Sequence, residues 1–243
     1  MAKEENAMTY ITGFVASVPE TKRQAYIDIA EESAPMFREY GAARQVETWE
    51  DDVHDGKITD FRRAVKATPD EKIVFSWLEY PSKAIATSAN EKLESDLSMP
   101  DSGNMPFDMS RMIWGGFAGI LEKGTRSRAG YIDGSLVPTP GDSKDAYLSY
   151  ANTVADILTE HGATRIVDVW SDNVPDGKVT DFRRSVNAGA DEAVVFSWVE
   201  WPSKSVRDAA WQKIFTDPRM HQGNPPQDES RRVSGGFVPV LDA

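Results

Sequence analysis

Two sets of carboxylates stand among tryptophans in this chain, and each set occurs twice. Glu47, Trp49 and Asp51 alternate in one segment and Asp168, Trp170 and Asp172 in another, while Trp77-x-Glu79 returns as Trp198-x-Glu200. Arginines Arg62 and Arg63 lie nearby in sequence, with Arg183 and Arg184 as their counterparts, and Arg111 precedes a later apolar stretch. A carboxylate held among indole rings loses hydration, so its pKa rises and it becomes a better general base; an arginine beside it would steady a developing oxyanion. On these grounds Glu79, Glu47, Arg62, Glu200, Asp168 and Arg183 are the candidate catalytic residues. The plainer reading of the same residues is a set of internal ion pairs at strand ends, which also gathers carboxylates and arginines.

Other chemistries find little support. His54, His161 and His221 have no partner at metal-ligand spacing, so no metal site is expected. Without cysteine there are no disulfides, thiolate nucleophiles or thiolate ligands. No phosphate-cradling glycine loop or nucleophile elbow occurs, and no cofactor is expected. Ser76 and Ser197, in "VFSW", read as small polar fillers of a strand. A net charge of −12 without a lysine or arginine stripe argues against nucleic acid and anionic membranes as partners. The N-terminus has no signal-like apolar core and no run approaches a membrane span, so a cytoplasmic location is expected.

The elements that must position these residues are duplicated. "DGKITDFRRAV" from Asp55 recurs as "DGKVTDFRRSV" from Asp176, and at the same offset 25 of the 40 positions from Arg44 to Lys83 are identical. A period this long marks duplication of a domain. The expected boundaries are a first unit at 8–121, a polar linker at 122–130 and a second unit at 131–242.

Each unit reads β-α-β-β-β-α-β, an elaborated ferredoxin-like α+β fold. "YITGFVASV" alternates as a strand, with Ile11, Gly13 and Val15 on one face. Thr21 with Gln24 predicts a capping box, and Gly41 and Gly162 end the helices that follow. Asp55-Gly56 and Asp176-Gly177 predict tight hairpin turns, each leading into a strand over 57–66 or its counterpart, with Arg62 and Arg63 on opposite faces. Ser82 and Ser203 are expected to cap the second helix of each unit.

The strand patterns also predict how the units meet. Ile73, Phe75 and Trp77 share one face while Val74 and Leu78 share the other, so both faces are apolar. Helices cover one face only. The two units should therefore close on each other as an intrachain pseudo-dimeric α/β barrel. Pockets between each sheet and its helices would be lined by Tyr10, Trp49, Phe75, Trp77 and Arg111, or by Tyr131, Trp170, Phe196 and Trp198.

"YITGFVASVP", "APMFREYGAARQVETW", "VFSWLEYPSK" and "MPFDMSRMIWGGF" together resemble a YbaA-like bacterial family of unknown function. The resemblance covers 8–121 and again 131–242. It implies the dimeric α/β-barrel superfamily, with the fusion replacing a homodimer, and no settled activity. That superfamily includes cofactor-free monooxygenases acting on quinols, haem-degrading enzymes, isomerases and stress-response proteins. Three functions follow as expectations: a small-molecule-binding barrel; a cofactor-independent oxygenase or isomerase for an aromatic or enolisable metabolite; and a non-catalytic stress or scaffold protein with a filled barrel. The second copy departs from the pattern, because Phe107, Met112 and Trp114 become Gln227, Arg232 and Ser234. One pocket is expected to have decayed or been retuned.

Overall fold

In the computed structural model, residues 9–95, 105–222 and 224–243 are described. The N-terminal half contributes β1 (Tyr10–Pro19), α1 (Arg23–Glu39), β2 (Arg44–Asp52), α2 (Phe61–Ala64), β3 (Glu71–Tyr80), α3 (Lys83–Ser95) and β4 (Ile113–Gly124). The C-terminal half repeats them as β5 (Tyr131–Pro140), α4 (Lys144–Glu160), β6 (Arg165–Asn173), α5 (Phe182–Ser185), β7 (Glu192–Trp201), α6 (Lys204–Ile214) and β8 (Val233–Asp242). The strands form one closed barrel in the order β1-β3-β2-β8-β5-β7-β6-β4, antiparallel throughout. Each half keeps the ferredoxin-like order 4-1-3-2. The halves join at two hydrogen-bonded seams, β2 with β8 and β4 with β6.

Closure follows from the pattern of the strands. Ile11, Val15, Ile73, Phe75 and Trp77 meet Ile132, Leu136, Val194, Phe196 and Trp198 in one fully buried core inside the ring. Phe75 stacks on Phe196 at 4.3 Å, and the rings of Trp77 and Trp198 lie 4.4 Å apart. Gly13 and Gly134 make this stacking fit: a Cβ on Gly13 would lie 2.8 Å from Phe196, and one on Gly134 would lie 2.8 Å from Phe75. The outer faces, with Val74 and Leu78 in the first half, are buried under the helices.

Three local expectations are corrected. Residues 57–66 form no strand: a loop leads to the single turn α2, and α5 repeats it. Asp60 is the cause, because its carboxylate accepts from the backbone N–H groups of Arg63 (2.7 Å) and Gly56 (3.1 Å), which caps a helical turn and curls the loop against it. Gly56 is required for contact rather than for a positive φ, since a Cβ there would lie 1.9 Å from the Thr59 carbonyl oxygen. Each unit is therefore β-α-β-α-β-α-β. Arg62 and Arg63 sit on that turn and not on opposite sides of a strand. The Thr21–Gln24 capping box is also absent: a 3₁₀ turn at Glu20–Lys22 precedes α1, whose first residue follows Lys22 without a side-chain cap, and Gln24 bonds Asp28 instead. At α3 and α6 the expected caps form, with Ser82 and Ser203 accepting from Ile85 and Val206.

β4 runs through Gly124, so the start of the 122–130 segment is strand paired with β6. Among the described residues no helix is long and apolar enough to cross a membrane.

Candidate functional site

The sequence candidates separate into three places. Glu79 and Glu200 lie at the ends of β3 and β7, fully buried at one mouth of the barrel beside Arg44 and Arg165. Arg165 donates to Glu79 at 2.8 and 2.9 Å, and Arg44 donates to Glu200 at 2.6 Å. Arg126 adds a further bond to Glu79, while Asp242 and Glu122 hold the outer sides of Arg44 and Arg165. The indoles of Trp77 and Trp198 each donate to the glutamate of their own strand at 3.1 Å. Burial alone would raise the Glu79 carboxyl, but the arginines outweigh it and hold the group at about 2. A carboxylate so stabilised is a poor base. The plainer reading, buried ion pairs at strand ends, describes this cluster.

Arg62 and Arg183 also turn inward to backbone. Arg62 donates to the Glu71 carbonyl at 3.1 Å and pairs with Glu50; Arg183 donates to the Glu192 carbonyl at 2.8 Å. Arg111 holds Glu71 with two bonds of 2.7 and 2.8 Å. Phe75, Trp77, Phe196 and Trp198, expected under the helices, point into the barrel and fill it. Tyr10 and Tyr131 clamp the halves together through Asp172 (2.9 Å) and Asp51 (2.8 Å) of the opposite half. Trp49 packs against Tyr26, and Trp170 against Tyr147.

The third place holds Glu47 and its counterpart Asp168, on the outer faces of β2 and β6 beneath α1 and α4. Tyr26 donates to Glu47 at 2.5 Å and Tyr147 to Asp168 at 3.0 Å. Burial pushes both carboxyls above their ordinary values, the opposite direction from Glu79. Of the carboxyls described in these three places, these are the two whose basicity burial raises.

Their surroundings differ. In the first half, Phe107 and Met112 pack onto Tyr26 and Trp49, while Phe14 of β1 and Phe37 of α1 pack against the neighbouring cluster that includes Ala86 and Ala89 of α3. In the second half a cavity of about 680 Å³ opens between the sheet and the helices α4 and α6. Its floor carries Tyr147, Asp168 and Ser197; Ala151, Val154 and Leu158 supply an apolar wall from α4. Arg232, at its edge, is held by Glu229 at 2.5 and 2.8 Å and donates to Ser135 at 3.0 Å. Although burial opposes it, Arg232 keeps Glu229 below the ordinary carboxylate range. Ser197 Oγ is buried beside Asp168 and Tyr147 and lowers the pKa of each, but makes no hydrogen bond of good geometry among the described residues; its counterpart Ser76 lies 3.3 Å from Tyr26. That arrangement offers a ligand a serine hydroxyl and a carboxyl–phenol pair beside an apolar wall.

Counterparts at matching positions explain the opening. Ser135, Gln227, Glu229, Arg232 and Ser234 stand where the first half has Phe14, Phe107, Met109, Met112 and Trp114. Four of these five replacements, Ser135, Glu229, Arg232 and Ser234, border the cavity.

A family model described as "Protein of unknown function (DUF1428)" matches residues 9–109 and again 130–229. The chain belongs to this family. It carries the DUF1428 unit twice. The uncharacterized protein YbaA of Escherichia coli K12 is 53% identical over 117 residues, which is 48% of this chain and all of YbaA, and YbaA of Shigella flexneri matches equally. Among solved structures, a candidate monooxygenase of Fusobacterium nucleatum superposes with a TM-score of 0.58 at 7% identity, covering 97% of this chain and 94% of that one. An anthrone oxidase-like protein superposes with a TM-score of 0.53 at 14% identity, covering 98% and 94%. At such identities the likeness establishes the barrel fold alone.

Proposed function

We propose that this DUF1428 chain is a small-molecule-binding protein whose site is the cavity of its C-terminal half, and that its intrachain pairing stands in for a homodimer. The observation that carries the reading is the cluster of Asp168, Tyr147 and Ser197 on the lining of a cavity whose volume is within the ordinary range for ligand sites. The apolar wall and these hydrogen-bonding groups suit a planar aromatic molecule with a hydroxyl or carbonyl oxygen.

The raised Asp168 carboxyl supports a second reading, proton transfer. Ionised Asp168 would take a proton from an enolisable carbon, the Ser197 hydroxyl would hydrogen-bond the resulting enolate oxygen, and the proton would return to another carbon in an isomerisation. An oxygenase on the same base would need dioxygen as co-substrate. The packed barrel interior supports a purely structural role for the lumen but leaves the cavity available.

A thermal-shift panel of phenols, naphthols and quinones tests the binding reading. A ligand at about 100 times its Kd adds roughly 2.7 kcal/mol, or about 5–11 °C for a chain of this size. Ser135→Phe with Arg232→Met restores the first-half side chains and should abolish that shift. A panel without a hit, or a shift that survives the double substitution, overturns the reading.

A further inference from the structure

We infer that Arg207 is the positioning residue for an aromatic wall of this cavity, and that through it the N-terminal half supplies a working part of the C-terminal half's site. The inference rests on the ligand-site reading above. Trp211 and Phe215, whose rings lie 5.3 Å apart, border the cavity on the α6 side. Phe215 is 67% exposed, so packing does not account for an aromatic ring there. Trp211 is fixed: its indole N–H donates to Asp133 at 2.8 Å, as does that of Trp201 at 2.9 Å. The other oxygen of Asp133 accepts from Arg207 Nε at 2.8 Å. Arg207 then crosses between the halves and donates to Asp52 at 2.8 Å, at the end of β2. Asp52 also lies 2.8 Å from His54 Nε2, and Asp52, His54 and Asp55 border the same cavity.

A continuous run of hydrogen bonds thus leads from the end of β2 in one half to a tryptophan ring on the wall of the other half's cavity. The first half has no counterpart of it. Opposite Asp133, Trp201, Arg207, Trp211 and Phe215 stand Thr12, Tyr80, Ala86, Asn90 and Glu94. There the hydroxyls of Thr12 and Tyr80 are buried without partners among the described residues. The duplicated units serve as internal references for each other, and these changes touch one another in sequence around one space. Burial pushes the Asp133 carboxyl up, and the Arg207 charge with two indole N–H groups counters it. A guanidinium gripped by carboxylates on both sides is rigid because its donors are planar and directional. Rigidity passes to Trp211, which sets the width of the slot. Arg207 also borders the cavity, but its guanidinium donates to Asp133, Asp52 and Asp208, so its part is to hold the wall.

The test uses the full chain labelled with 5-fluorotryptophan, with the Trp211 resonance assigned by Trp211→Phe, and fluorescence titration with 2-naphthol. Asp52→Asn leaves α6 unchanged and removes only the charge from the first half. It should move the Trp211 resonance, leave those of Trp77 and Trp198 in place, and weaken 2-naphthol binding about five- to tenfold, the difference expected when a charge-assisted bond becomes a neutral one. Arg207→Ala should do the same more strongly, and Arg207→Lys should recover part of the affinity. If Asp52→Asn and Arg207→Ala both leave the Trp211 resonance and the Kd at wild-type values, Arg207 is only a tie between the halves and the inference fails. If 2-naphthol does not bind the wild type, the ligand-site reading fails for that probe, while the Trp211 resonance still upholds or overturns the positioning role.

Discussion

Replacing Glu79 by glutamine should expose how the barrel mouth is held together. The substitution keeps the shape and the bond from Trp77 but removes the charge that faces Arg165, a side chain with no exposure to solvent. The magnitude can be reached in two ways. Glu79 titrates at about 2 instead of its ordinary 4.5, and at 1.36 kcal/mol per pH unit this is about 3 kcal/mol of native-state preference for the ionised form. Breaking one partner of a buried pair independently costs about 3–5 kcal/mol, because the arginine left behind stays desolvated. Since the folded pKa lies below the unfolded one, this stability is complete above about pH 5 and is lost as the pH falls towards 2. Urea unfolding followed by tryptophan fluorescence at pH 7 should show a loss of about 3–5 kcal/mol, and calorimetry a Tm lower by roughly 6–20 °C. The difference between variant and wild type should narrow below pH 4.5. A loss under about 1 kcal/mol at pH 7, or one that is the same at pH 3, would refute the account of the cluster.

Asp168→Asn should make the protein more stable at pH 8, since burial disfavours the ionised carboxyl; the gain should fade as the pH drops towards the ordinary aspartate value of 3.8, as read by urea midpoints across pH. Phe75→Ala should cost about 3–5 kcal/mol in urea unfolding, because its ring is fully buried and stacks on Phe196 in a core with no room to collapse. Residues 8–121 made alone should self-associate in light scattering, with Phe75 and Trp77 uncovered and β2 and β4 left as free edges; a soluble monomer would contradict the closure argument.

The barrel could be read in the letters because its strands break a simple rule. "IVFSWLE" is apolar on both faces, one helix layer can cover only one of them, and a duplicated unit supplies the cover for the other. The repeated "DGK" segment misled because Asp-Gly is the commonest hairpin signal, while the decisive residue was Asp60, whose carboxylate closes a helical turn that no hydrophobic period announces. At the site, residue types were informative and their orientation was not. Glu79 and Glu47 both neighbour tryptophans in sequence, yet one faces two arginines at the barrel mouth and the other a tyrosine under a helix. Tyr147, Ser197, Arg207, Trp211 and Arg232 were missing from the candidates. Comparing the copies marks Arg232 as a departure from Met112, and the same comparison carried along α6 marks Arg207 and Trp211, which replace an alanine and an asparagine of the first copy. Tyr147 and Ser197 are identical in both copies and carried no such signal.

The contrast between Phe14 with Met112 and Ser135 with Arg232 has an evolutionary consequence. In a symmetric dimer of one unit, a substitution that opens a hollow opens it on both sides, and the assembly bears the destabilisation twice. Two units on one polypeptide mutate separately, so one can keep its greasy plug and the shared stability that comes with it while its sibling is whittled towards a new guest.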